Sequence, residues 1–322
     1  MNKIEFLIIS NKFDFTTDYI CLELERRKLK YLRLNRDEFE NYEIIFKINE
    51  LILQVKIENK NFILREETLK AIYYRAPIYL RDNFQPDIDV EEQLYRSQWT
   101  AFIRNLTLFE NVKWVNNPIS TFKAENKLLQ LKYAARIGFA IPGTIVTNTN
   151  NLQIDPQKDY IVKTLDTALL RTENKEAFIY SSVVKGREVL DSTLSKSPLV
   201  LQDYIYPKVD VRVTVIGKSV YPVKIEKKGK GIDGDWRLEK NNLSYIPFNL
   251  PLNIEQYCVE IVKSLGLAFG GIDLIESNGE YYFIEVNPTG EWAWLVDSSG
   301  LQIYKGICDY LESDENYALS TY

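Results

Sequence analysis

The chain contains no histidine. That absence removes Ser-His and Cys-His dyads and any imidazole-held zinc or iron site. Proton transfer is left to Asp, Glu, Lys, Tyr, water or a substrate. Cysteine is scarce: Cys21, Cys258 and Cys308 are far apart and odd in number, so buried free thiols are expected rather than a disulfide framework or a metal cluster. An excess of one charge is missing too. The formal charge of -5 is mild and gives no support for a nucleic-acid surface. No apolar run approaches the roughly 18 residues of a membrane span. The stretch Met1 to Ser10 lacks a signal-peptide layout, so no membrane contact and a cytoplasmic location are expected. Neither a Walker-type loop nor a dinucleotide fingerprint occurs.

What is present suffices for a folded, multi-part molecule. The 322 residues, 45% of them hydrophobic, allow two or three domains with sizeable cores. Lys3 to Ile9 reads as a strand, Thr16 to Lys28 as an amphipathic helix, and Lys30 to Leu34 as a second strand. This β-α-β opening implies a small α/β unit with parallel strands. A hairpin is expected over Glu43 to Ile57, a strand over Thr68 to Arg75, and a long helix over Asp89 to Leu108 with Leu94, Ala101 and Leu108 on its apolar face. Trp114 to Pro118 closes this part. A helix over Thr121 to Ile137 should end at Gly138. Strands are expected at Ile141 to Thr147, Asp159 to Thr164 and Leu199 to Asp203, with a hinge at Tyr204 to Lys208. Asp210 to Val215 and Ser219 to Ile225 form a hairpin. Asn253 to Leu265 and Leu301 to Leu311 read as helices.

The most telling stretch lies near the end: Gly270-Gly271-Ile272-Asp273-Leu274, then Tyr282-Phe283-Ile284-Glu285-Val286-Asn287-Pro288. Both runs read as buried strands, and Asn278-Gly279 between them is a two-residue hairpin turn. Pairing brings Asp273 close to Glu285 and Asn287, which share one strand face. Two carboxylates and an amide oxygen make either a hard oxygen site suited to Mg2+, with phosphates supplying the remaining ligands, or ordinary acidic strand ends closed by an Asn-Pro stop. The first of these implies a nucleoside triphosphate as substrate.

Other segments are consistent with this without settling it alone. Lys163 ends an apolar strand and can serve as a point charge for phosphates. Lys127 is either a helix-surface residue or a second such charge. The stretch Thr164 to Thr172 offers no glycine where a phosphate loop is expected. Leu199 to Ile205 is either a core strand or a backbone edge for an adenine. Asp210, Arg212 and Thr214 share one strand face, as an exposed ion pair or as an arginine that stabilises charge in phosphoryl transfer. Asp235-Trp236-Arg237 lies in a Gly/Lys-rich stretch suited to an anion or to a solvated linker.

In this order the segments resemble the ATP-grasp superfamily, most closely its RimK-related branch. They are Asn126-Lys127, Ile161-Val162-Lys163, Gln202-Asp203-Tyr204-Ile205, Asp210-Val211-Arg212, Gly271-Ile272-Asp273-Leu274 and Glu285-Val286-Asn287-Pro288. Within that branch, Asp235-Trp236-Arg237, the run Asn287 to Trp294, Tyr74-Arg75-Ala76-Pro77 and the opening Ile8 to Phe39 are similar to graspetide (microviridin-type) peptide maturases. The resemblance implies an α/β (α+β) ATP-grasp fold in three parts. These are a pre-ATP-grasp domain over 1–120, a small central domain over 121–200 and a C-terminal antiparallel-sheet domain over 201–322. It implies an ATP-dependent carboxylate-amine/hydroxyl ligase that activates Asp or Glu side chains of a ribosomal precursor peptide and closes ester or amide links. A ligase adding an amino acid to a small molecule or protein tail is the alternative, followed by a kinase or a non-catalytic nucleotide binder. Carried over by residue, Lys127 and Lys163 contact phosphates or the adenine pocket. Gln202, Asp203, Tyr204 and Ile205 line the adenine, with backbone groups at Asp203 and Ile205. Asp210 lies near ribose or substrate. Arg212 and Arg237 hold the transferred phosphoryl and acyl-phosphate, and Asp273, Glu285 and Asn287 bind Mg2+. Asp210, Glu226 and Asp235 are candidate bases. Family members often carry Gln where this chain has Glu291. A homodimer and a leader helix docked on the central domain complete the expectations.

Overall fold

The computed structural model describes residues 2–75, 89–165, 169–172, 175–178, 181–192, 196–239 and 242–315. Within these residues the first expected strand divides into β1 (Asn2–Lys3) and β2 (Phe6–Ser10), which join different sheets. Every residue of β2 is buried, as a parallel strand covered on both faces requires. α1 (Phe15–Arg26) follows, capped by the Asp14 carboxylate, which accepts from the Thr16 and Thr17 amides. Next come β3 (Tyr31–Asn35), β4 (Tyr42–Lys47), β5 (Ile52–Ile57), β6 (Lys60–Arg65), β7 (Ala71–Tyr74), α2 (Val90–Asn105) and β8 (Lys113–Val115).

β3-β2-β7-β8 is an all-parallel sheet; β1-β6-β5-β4 is a second sheet, antiparallel except for β1. The expected hairpin thus gains a third strand, β6. Alternation splits β2 between two cores: Leu7 and Ile9 pack with Leu34, Ile72 and Phe109, while Phe6 and Ile8 pack with Ile20, Trp292 and Ile307. The latter core holds both ends of the chain together. α2 buries Ile103, whereas Leu94 is exposed, so its apolar face is not the one expected.

Two helices, α3 (Pro118–Ala124) and α4 (Lys127–Ile137), stand where one was expected. The break is at Asn126, whose side chain caps α4 by accepting from the Leu129 amide at 3.0 Å. Gly138, at φ 118°, ends α4 in the left-handed region. β9 (Thr144–Thr147), β10 (Asp159–Lys163), β11 (Leu169–Thr172), β12 (Lys175–Phe178), β13 (Ser182–Lys185), α5 (Gly186–Asp191) and β14 (Leu199–Asp203) follow. β13-β10-β14-β9 is an antiparallel sheet, and β11-β12 is a separate antiparallel pair in the glycine-free stretch. The core under this sheet is small, centred on Tyr160, Val189 and Leu201.

The last part comprises β15 (Val209–Ile216), β16 (Ser219–Lys227), β17 (Leu243–Pro247), α6 (Leu252–Ser264), β18 (Phe269–Ser277), β19 (Glu280–Asn287), α7 (Ala293–Ser299) and α8 (Ile303–Glu312). Its sheet runs β17-β16-β15-β18-β19, antiparallel throughout. One face carries Val211, Val213, Val215, Ile272, Leu274 and Val286 onto α6. The other carries Arg212, Thr214, Gly271 and Asp273. Asn116 stitches the N-terminal part to this sheet: its amide oxygen accepts from the Ala268 and Phe269 amides, and its amide nitrogen donates to the Phe269 and Pro288 carbonyls. The three cysteines are free and buried. Among the described residues no helix is long and apolar enough to cross a membrane.

Candidate active site

The site grows out of strand register. Asn278 (φ 52°) and Gly279 (φ 83°) form the two-residue turn joining β18 to β19. Asp273 then lies opposite Glu285, and Gly271 opposite Asn287. On the other side of β18, Arg212 lies opposite Asp273. The row Arg212–Asp273–Glu285 therefore crosses three strands on one face. A bulge keeps this possible: between Asp273 and Leu274 the register steps over Ile284, so Glu285 stays on the polar face while Phe283 turns back to the core.

Arg212 Nη1 donates to Asp273 Oδ1 at 2.7 Å, and Arg237 Nη2 donates to Asp273 Oδ2 at 2.6 Å. Arg237 also lies 3.5 Å from Glu285 Oε1, and Lys127 Nζ lies 3.2 Å from Glu285 Oε2. Asn287 Nδ2 donates to Glu285 Oε1 at 3.3 Å. Glycine makes room for the arginine: a Cβ at Gly271 would sit 2.4 Å from Arg212 Nη2. Burial alone would raise the Glu285 carboxyl, but Lys127, Arg237 and Lys163 outweigh it and hold it below the ordinary carboxylate range. Burial, with Lys127 and Arg237 nearby, pushes Lys163 down to about 8 against the partial support of Glu285 and Asp273. Arg212, Arg237, Lys127 and Lys163 thus face Asp273 and Glu285, an excess of positive charge that favours a polyphosphate.

An open cleft lies between this face and the β13-β10-β14-β9 sheet. Lys163, Gln202, Asp203, Tyr204, Ile205, Asp210, Arg237 and Asp273 line it. Gln202 is fixed by donating to the Thr144 hydroxyl at 2.9 Å. Asp203 pairs with Lys158 at 2.6 Å, and its amide already donates to the Gly143 carbonyl at 2.9 Å, so that amide is not available to a ligand. Asp210 is held by Lys208 at 2.5 Å; burial raises its carboxyl in spite of that partner. Asp235 caps the short helical turn Trp236–Leu238 and pairs with Arg237. A second hollow, lined by Arg212, Trp236, Arg237, Asn287, Gly290, Glu291 and Trp294, adjoins the first.

Glu226 does not belong here. It follows Ile225, which lies opposite Asp210, so alternation turns it to the other face, and it does not line the cleft. Ala76 and Pro77 lie outside the described residues. Lys208 was not singled out from sequence, although the Lys-x-Asp spacing along a strand start places both side chains on one face. Gln130 was also missed. Its amide clamps Val286 by accepting from the backbone N–H (2.9 Å) and donating to the carbonyl (2.8 Å), which steadies β19 between Glu285 and Asn287.

Asp273, Glu285 and Asn287 suit Mg2+ in chemistry, as hard oxygen donors on one face. Among the described residues no group of three or more His, Cys, Asp or Glu is placed to hold a metal, so such an ion would depend on phosphate oxygens as well. Among the described residues, buried Arg212 Nε and Thr214 Oγ1, on the same face, have no hydrogen-bond partner, as in a cradle for a polar ligand.

Paired carboxylates and arginines stand on a large antiparallel sheet faced by a smaller sheet across a cleft, and the family match identifies this architecture as that of an ATP-dependent ligase of the ATP-grasp fold. The chain belongs to the RimK-like ATP-grasp family, whose domain profile matches residues 124–311. Over 307 residues it is 24% identical to a probable alpha-L-glutamate ligase of Mannheimia succiniciproducens, covering 91% of this chain and 96% of that one. Among solved structures it resembles a RiPP-associated ATP-grasp ligase of Chryseobacterium gregarium in complex with ADP and a leader and core peptide. The TM-score is 0.78 at 25% identity, covering 97% of this chain and 96% of that one. It also shares its fold with the macrocyclase MdnC of Microcystis aeruginosa, bound with precursor peptide MdnA, at a TM-score of 0.78 and 23% identity, covering 95% and 98%.

Proposed function

We propose that this ligase modifies a ribosomal precursor peptide, activating Asp or Glu side chains and joining them to Thr or Ser hydroxyls or Lys amines. The observation that carries the reading is the likeness over 97% of the chain, N-terminal part included, to a ligase that holds ADP with a leader and a core peptide. In this reading the ATP phosphates lie along Lys127 and Lys163, and the adenine lies beside Gln202, Tyr204 and Ile205, with Asp203 contributing no amide. A peptide carboxylate attacks the terminal phosphorus of ATP, ADP leaves, and an acyl-phosphate forms. Arg212 and Arg237 neutralise the oxygens that gain charge. The hydroxyl or amine then attacks the acyl carbon and inorganic phosphate leaves. Asp210 and Asp235, which line the cleft, are the candidates to accept the released proton. Mg2+ on Asp273, Glu285 and Asn287 would supply Lewis-acid charge neutralisation. The division at 120 and 200 into three domains, a cytoplasmic site of action and a homodimer belong to the same proposal.

A second reading is favoured by the near-full-length glutamate-ligase relative: addition of glutamate to an acceptor. The two separate by mass. Incubation of a Thr- and Glu/Asp-rich precursor with the enzyme, ATP and Mg2+ should remove one water per link from the peptide. Addition of a glutamate residue instead, or an unchanged peptide with ATP turned over only on free amino acids, would overturn the peptide reading.

A further inference from the structure

The turn that leads from Asn287 towards α7 is held from outside its own sheet. Arg75 follows β7 and its side chain is only 5% exposed. Its Nη1 donates to the carbonyls of Thr289 (2.7 Å) and Gly290 (3.0 Å), its Nη2 to Glu291 Oε1 (2.5 Å), and its Nε to Asp14 Oδ2 (3.4 Å). Asp14 also accepts from the Ser10 and Thr17 hydroxyls, and the second Glu291 oxygen accepts from the Thr16 hydroxyl. One guanidinium thus ties the ends of β2 and β7 and the start of α1 to two consecutive carbonyls of the turn.

On its inner side the same turn bears on Arg212. A Cβ at Gly290 would lie 2.6 Å from Arg212 Nη2, and the Glu291 carbonyl accepts from that nitrogen at 3.4 Å. The Gly290 amide donates to the Asn287 carbonyl at 3.2 Å. Arg75 itself lines neither the cleft nor the adjoining hollow. Burying a cation is costly unless its donors are all met, and an apolar contact would join sheet and turn without that cost. What the guanidinium adds is direction: a planar fork that fixes two carbonyls and two carboxylates at once, which an ammonium cannot do.

We propose that Arg75 is a positioning residue for the ligase reaction. It sets the Asn287–Glu291 turn, and through it the guanidinium of Arg212 over Asp273, so that the first sheet governs the phosphoryl-transfer site. The step that suffers when Arg75 is changed is turnover, while affinity for ADP, which lacks the transferred phosphoryl that Arg212 holds, is kept.

The test compares Arg75→Lys, Arg212→Lys and the double variant. ADP release from ATP and Mg2+, with and without precursor peptide, is measured alongside ADP affinity by calorimetry. Arg75→Lys should lower kcat by about 10–100-fold, the scale of a misplacement transmitted to a reacting centre. ADP affinity should stay within about threefold, and the double variant should be no slower than Arg212→Lys alone, because both changes remove one arrangement. Amide exchange supplies a readout that needs no turnover: Gly290 and Glu291 should exchange faster in Arg75→Lys while Ile272 to Leu274 keep their protection. Additive losses in the double variant, or unchanged exchange at the turn in a folded Arg75→Lys protein, would overturn the proposal. A wild-type enzyme that leaves precursor peptides untouched sinks the peptide reading alone. The role of Arg75 is then still decided by exchange at the turn.

Discussion

The two sheets that face each other across the cleft are built differently. β15, β18 and β19 span eight or nine residues each, with one face sealed on α6 by Val213, Val215, Ile272 and Leu274. The opposing sheet uses strands of four or five residues, rests on Tyr160, Val189 and Leu201, and leaves Ile145, Val146 and Val183 exposed. The first holds the charged row Arg212–Asp273–Glu285; the second holds Lys163 and Gln202. The difference teaches a division of labour. In the proposed reaction, the groups that meet a developing charge within a fraction of an ångström stand on the deeply buried sheet. In the same proposal Lys163 and Gln202, which grip a nucleotide that comes and goes, stand on the lightly held one.

The largest expected effect breaks the chemistry on the rigid side. Arg212→Ala should lower turnover by on the order of 10²–10³-fold, as loss of a charge-stabilising donor does, with the unfolding transition retained. Loss of ATP affinity with turnover intact would contradict the assignment of Arg212 to the reacting end. Next comes stability. Ile272→Ala should cost about 2–5 kcal/mol in a denaturant titration, since the side chain lies in a core that cannot collapse. Leu201→Ala in the small core should cost about 2 kcal/mol, at the low end of the same range, because that site can relax. Equal costs would erase the contrast. Amide exchange sharpens it further: Val211 to Val215 should outlast Tyr160 to Val162, and reversed protection would contradict the comparison.

The smallest effect is a proton. Lys163 sits at about 8, below its ordinary 10.5, so between those values the unfolded chain binds more protons than the folded one. The stability of the native enzyme relative to Lys163→Met should therefore rise as pH climbs from 8 towards 10.5. A bound phosphate raises the lysine again, so nucleotide binding near pH 8.5 should take up protons and binding near pH 6.5 should not. Calorimetry in buffers of differing ionisation enthalpy reads this, and uptake that persists in Lys163→Met would refute it.

The charged row was legible in sequence because its causes are local. Period-two alternation placed Asp210, Arg212 and Thr214 together, and the Asn278-Gly279 turn paired the two strands so that Asp273 comes close to Glu285 and Asn287. The bulge at Ile284 was not legible, because an unbroken apolar run shows no phase to lose. The contacts of Arg75 with the turn were hidden for another reason: those partners lie more than 200 residues away. Asn126 was read as helix interior, yet its side chain prefers the cap it forms. Leu94 misled because an apolar residue at helical spacing need not be covered. Of the backbone groups expected at Asp203, the amide is taken by the Gly143 carbonyl, a strand-end partner 60 positions away that local sequence does not reveal.

The central claim is that the rigid row activates a peptide carboxylate by phosphorylation. A precursor peptide whose Asp and Glu side-chain carboxylates carry heavy-isotope oxygen tests it directly, with released phosphate examined by mass. The account predicts that one labelled oxygen moves from carboxylate to phosphate for each link formed, and that Arg212→Ala suppresses labelled phosphate and links together. Unlabelled phosphate accompanying normal link formation would contradict it.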